Sequence, residues 1–213
     1  MLFHLIKKDF MIVKKYVLLM LAVAILIPPF MLWRAPEFAG PMSFLLSVIF
    51  TVFMLLQYVS MKEYQYPKAS TLLCATPYPR SALVKSKYGF CIFIYAFCCV
   101  VYWIETLVFP NLGSFSFEMV LVVFLGISIF LGIYLPIQFK LGYEKTKFFF
   151  VIIVMASPFL LPQLSKLNIG FDFSVIHSIP DVLLYGIVAI FSLIILAFSI
   201  FVSTKIYSQV DLA

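Results

Sequence analysis

Residues 88–109 read "YGFCIFIYAFCCVVYWIETLVF". One charged side chain, Glu105, interrupts an otherwise apolar and uncharged-polar run that is bounded by Lys87 before it and Pro110 after it. About 20 such residues in a helix cover the roughly 30 Å of a bilayer's hydrocarbon core. Moving outward, the pattern recurs at 16–33, 42–61, 117–138, 148–165 and 182–204, and the one further charge in these windows is Glu118, near an end. That scarcity fits a cost of about 2.5–3.5 kcal/mol for a Lys, Arg or Asp at mid-bilayer. With 64% hydrophobic and 11% charged residues, 213 residues carry more apolar surface than one water-soluble core could hide. The expected fold is an all-α membrane protein with six transmembrane helices in a single domain spanning 1–213.

The net charge of +6 encodes topology rather than a nucleic-acid partner. If six spans alternate, all of the 15 Lys and Arg residues except Arg34 and Lys166 fall on one side. The positive-inside rule makes that side cytoplasmic, and with it both termini. Cys74, Cys91, Cys98 and Cys99 show no CxxC spacing. They read as free thiols acting as small hydrophobes.

Residues 1–15 fit an amphipathic interfacial helix. His4, Lys7, Lys8, Lys14 and Lys15 share one arc, and Leu2, Phe3, Leu5, Ile6, Phe10, Ile12 and Val13 fill the other. Such a helix lies along the inner membrane surface with its lysines towards anionic head groups. Asp9 projects from the apolar arc. Two readings are open: a basic partner, sought first in the loop 62–87, or a tilted helix with Asp9 at its rim. On the opposite side, Pro158 and Pro162 bend the fifth span. Residues 157–181 are too apolar for a solvated loop and read as a partly re-entrant external segment.

Catalytic sets are hard to find. No Gly-Lys pair opens a phosphate-binding loop, and His4 and His177 fall on opposite sides of the bilayer. The chain is therefore read as no enzyme, with no cofactor or metal of its own. Polar residues at helical spacing mark several spans: Ser43, Ser47 and Thr51 on the second, Tyr95, Tyr102 and Glu105 on the third, Ser192, Ser199 and Ser203 on the sixth. They read either as a conduit wall or dimer face, or as ordinary helix packing through small and hydroxylated residues. Glu105 serves either a pore mouth or simple snorkelling to the outer surface.

The loop 62–87 has an internal order that a plain connection lacks. Pro67 can start a short helix, Leu72 and Leu73 sit within it, and Pro77 can end it. A short helix presenting two leucines is a fitting plug for a groove on a partner protein.

The run "LLCATPYPRSALVKSKY" (72–88) resembles the first cytoplasmic loop of type 2 ABC exporter (ABC-2 type) permeases, and "LIKKDFMIVKKYVLL" (5–19) is similar to the opening of that family. The small six-span permeases of bacterial peptide and bacteriocin exporters are the nearest likeness. The resemblance implies a permease domain that pairs with a second copy or a paralogue and is driven by two copies of a separate ATPase subunit, which holds the ATP-Mg. It also implies a coupling loop built from Pro67, Ser70, Thr71, Leu72, Leu73, Ala75, Thr76, Pro77 and Arg80. In that loop Arg80 anchors to head groups or to Asp9, and the 157–181 segment with Pro158 and Pro162 forms an outer gate. The place is a bacterial plasma membrane, and the cargo is an amphipathic peptide or another hydrophobic substrate. The competing reading is a self-contained channel or ion-coupled carrier, which ordinarily carries charge at mid-membrane.

Overall fold

Every regular element among the described residues is helical, as apolar runs in hydrocarbon demand, because a helix satisfies its own backbone polar groups. The computed structural model describes residues 2–34, 36, 40–66, 79–113, 115–148, 151–152, 155 and 181–209. In chain order they form α1 (Leu2–Ile12), α2 (Lys14–Arg34), α3 (Pro41–Gln65), α4 (Arg80–Val108), a 3-10 turn (Pro110–Leu112), α5 (Phe117–Leu141) and α6 (Asp181–Gln209). Five helices, α2 to α6, are long and apolar enough to cross a membrane. Of the remaining expected span, the fifth at 148–165, only residues 148, 151, 152 and 155 are described, all helical. The coupling helix 67–77 and the gate prolines Pro158 and Pro162 lie outside the described residues.

Local chemistry sets the helix ends. Pro41 opens α3 and Pro79 caps α4 in an extended conformation. Ser116 caps α5 by accepting a hydrogen bond from the Met119 N–H at 3.2 Å. Glu118 in the first turn and Lys140 in the last complement the helix dipole, and Gly142, at φ 78°, ends the helix in a conformation that suits glycine. Residues 62–87, read as the loop between two spans, are helical at both ends: α3 continues past its apolar window to Gln65, and α4 begins directly after Pro79. Apolar windows mark the hydrocarbon, whereas a helix runs on until its backbone meets a breaker.

α3 is the most enclosed helix, and α2 and α6 are the most peripheral. Large apolar side chains stand exposed along the peripheral helices, among them Leu18, Leu26, Phe30, Ile190, Phe198 and Phe201. In a bilayer they meet lipid at no cost. α5 and α6 form the most extensive helix pair, and Gly132 permits their approach: a Cβ there would stand 3.2 Å from Ile195 Cγ2. α1 packs on α4 in the same way. Ile6 lies over Gly89, where a Cβ would come within 2.8 Å of its Cδ1, and the Phe10 ring meets Phe90 and Phe93 edge-on.

Three prolines, Pro28, Pro29 and Pro136, lie inside described helices, and for two of them a serine from a neighbouring helix reaches the carbonyl left without its usual donor. Pro28 has no N–H for the Ala24 carbonyl, which accepts instead from Ser47 Oγ of α3 at 3.1 Å. Pro136 leaves the Gly132 carbonyl free, and Ser199 Oγ of α6 donates to it at 3.3 Å. Within hydrocarbon such repair is what makes an internal proline tolerable.

Candidate functional site

Four charged side chains from three helices converge at the lysine-rich end of the bundle. Asp9 projects from α1 into protein and is 0% exposed. Its Oδ1 stands 3.3 Å from Lys87 Nζ on α4 and 3.2 Å from Lys8 Nζ on α1 itself. Both ammonium groups also engage Oε1 of Glu63 on α3, Lys87 at 2.7 Å and Lys8 at 3.2 Å. Each charge thus faces two of the opposite sign. This shared geometry is what offsets the desolvation of a buried ion, which an isolated pair seldom does.

The placement follows from the chain. Glu63 sits in the last turn of α3 and Lys87 two turns into α4, so they stand on the two stems of the connection that spans 66–79. Asp9 and Lys8 bind both stems to α1. Of the two readings of Asp9, the one with a basic partner holds, and the partner is Lys87, the last residue of the stretch in which it was sought. Arg80, expected to anchor to head groups or to Asp9, donates from Nη1 to the Ser208 carbonyl at 3.0 Å and ties the start of α4 to the end of α6. Lys7 of α1 is exposed and lies outside the cluster.

Beside the cluster opens a cavity of about 470 Å³, walled by α1, α3, α4, α5 and α6. Lys8, Lys62, Glu63 and Lys87 line its charged side, and Ile12, Leu83, Leu135 and Phe139 its apolar side. Four tyrosines, Tyr64, Tyr66, Tyr143 and Tyr207, edge it. Burial pushes the Tyr143 phenol above its usual range, so it stays a neutral donor. Deeper in the bundle, Gln138 donates to Ser60, Gln57 Nε2 donates to the Tyr134 hydroxyl at 2.8 Å, and the Tyr88 hydroxyl bonds Ser199 and Ser203.

The polar stripes of the second and third spans lie inside this single chain. Ser43 Oγ and the Tyr102 hydroxyl both donate to the Gly40 carbonyl, at 2.8 and 3.2 Å, and the Tyr95 hydroxyl donates to the Val120 carbonyl at 2.7 Å. Ser47 serves the Ala24 carbonyl, and Thr51 is buried close by. A conduit or second copy reaching these groups requires the helices to part. Glu105 is 6% exposed, and neither of its oxygens has a hydrogen-bond partner among the described residues. It therefore does not snorkel to water in this conformation.

Sequence reasoning missed Glu63 and the two proline-serine repairs. A signal for the repairs was present, since the carbonyl four residues before each internal proline is the one that needs a donor. The sequence does not say which neighbouring helix supplies that donor.

A model of the family described as ABC-2 family transporter protein matches residues 4–208. Neither the curated proteins nor the solved structures give a match. The family match spans α1 through almost all of α6, the five apolar helices are those of a transporter's membrane subunit, and the chain belongs to the ABC-2 family of transporter proteins.

Proposed function

We propose that this chain is the membrane half of an ABC exporter, pairing with a second copy or a paralogue and driven by two copies of a separate ATPase that binds ATP-Mg. Six spans place both termini in the cytoplasm of a bacterial cell, with α1 along the inner surface of the plasma membrane. Phe3 and Met11 of α1, both exposed, face the lipid there. Pro67–Thr76 docks on the ATPase through Leu72 and Leu73, and ATP hydrolysis resides wholly in that partner. The segment 157–181 closes the outer end. Cargo is an amphipathic peptide or similarly hydrophobic, because the spans offer aromatic and hydroxyl groups with almost no charge.

The observation that carries this reading is the charge cluster on the stems of the docking loop. A push on residues 67–77 bears on Glu63 and Lys87, and through Asp9 and Lys8 it reaches α1. The cluster thus joins the two stems of the docking loop to α1. The test is a pull-down from native membranes in mild detergent, comparing wild type with Leu72→Asp/Leu73→Asp. An ATPase that elutes with wild type and is lost from the folded double variant is the expected result. If abundant, folded wild-type protein brings down no ATPase, the channel or carrier reading replaces this one.

A further inference from the structure

The cavity beside the charge cluster holds more cationic donors than its own acceptors use. A lysine ammonium has three N–H donors. Lys87 spends two, on Asp9 Oδ1 and Glu63 Oε1, Lys8 spends one, on Glu63 Oε1, with Asp9 Oδ1 at ion-pair distance, and Lys62 spends one, on Gln65 Oε1 at 3.0 Å. Among the described residues, one donor remains on Lys87 and two on each of Lys8 and Lys62. On the lining itself the three lysines against Glu63 leave a charge of +2, with Asp9 behind Lys8 and Lys87, and Glu144 bonded to Tyr64, standing outside it.

The rest of the lining is apolar and aromatic, and that selects among anions. Ile12, Leu83, Leu135 and Phe139 have nothing to offer a small hydrated ion, yet they suit the glycerol and first methylenes of a lipid. At about 470 Å³ the space is many times larger than a bare phosphate needs. Tyrosines and lysines at the ends of spanning helices mark the depth at which head groups lie. We infer that this cavity binds one anionic phosphate-bearing amphiphile, a phospholipid of the inner leaflet, with its phosphate at Lys62, Lys8 and Lys87 and its glycerol end against Leu83 and Phe139. The lipid then touches α1, α3, α4, α5 and α6 at once and braces the stems of the connecting loop. This site requires only the folded chain and goes beyond the proposed transport role.

Native mass spectrometry of the full chain in detergent tests it, titrating phosphatidylglycerol and phosphatidylcholine of matched acyl chains. Phosphatidylglycerol should be retained at least fivefold more tightly. Lys62→Gln should weaken it roughly fivefold, the effect of one lysine at an anionic surface, and Lys62→Arg should retain it. Among the described residues the Lys62 ammonium hydrogen-bonds only the exposed Gln65 side chain, so neither variant breaks a contact between helices that is described. Lys145→Gln, at the same end but away from the cavity lining, should leave binding unchanged. Equal binding of the two lipids, or equal loss in Lys145→Gln and Lys62→Gln, overturns the site in favour of general surface charge. Displacement of the lipid by inorganic phosphate at similar concentration overturns the lipid assignment in favour of a soluble phosphate.

Discussion

Asp9 and Glu105 are both carboxyl side chains buried in helices of one bundle, and their surroundings are opposite. Asp9, at the lysine-rich end, has two ammonium groups within 3.3 Å. Glu105, towards the far end of α4, has no hydrogen-bond partner at either oxygen among the described residues. Burial by itself therefore says little about what a charged group contributes. A paired carboxylate ties elements together, whereas an unpaired one costs stability and persists where something other than stability keeps it.

The contrast can be broken most forcefully at Lys87. Lys87→Met leaves Asp9 buried with Lys8 as its remaining cation, and Glu63 loses its shorter contact. The expected loss is about 3–5 kcal/mol. It is read as a fall of roughly 2–4 °C per kcal/mol in thermal unfolding of the detergent-solubilised protein. Asp9→Asn/Lys87→Met should recover a large part of that loss, since it removes the stranded charge as well. If the double variant is as unstable as the sum of the single ones, the cluster is not an energetic unit.

At the other pole, Glu105→Leu should stabilise. It removes two buried oxygens that have no hydrogen-bond partner among the described residues, with the expected gain about 1–2 kcal/mol by the same unfolding measurement. A destabilisation of similar size would show that Glu105 holds a partner beyond the described residues.

Most of the helical architecture was legible because it rests on composition and length. A 22-residue run such as 88–109 can hardly be anything but a spanning helix, and α4 does cover it. Asp9 was legible as an anomaly, since a carboxylate on an apolar face calls for an answer. What could not be read was the pairing, because Lys87 is 78 residues away and helix order in a bundle is not written in periodicity. The polar stripes were ambiguous for a related reason. Ser47 and Tyr95 have the same spacing whether they line a path or serve a neighbour's carbonyl, and the structure shows each donating to a backbone oxygen. Helix ends were harder to read than spans, because hydropathy locates lipid and not the end of a helix.

The smallest effect sharpens the comparison in the middle of the membrane, where the group in question is neutral. Ser47→Ala removes the donor that serves the Ala24 carbonyl, and interhelical hydrogen bonds of this kind average about 0.6 kcal/mol and reach about 1.7. Burial of Ser47 at 4% exposure predicts the upper half of that range. The decisive variant is the double one. Pro28→Ala restores an N–H to the Ala24 carbonyl from within α2, so in that background Ser47→Ala should cost almost nothing. An equal cost in both backgrounds would mean that Ser47 matters for packing against α2 and not for the carbonyl that Pro28 leaves free. Partnership would then be a property of the charged cluster alone, and the neutral core of the bundle would be held by shape.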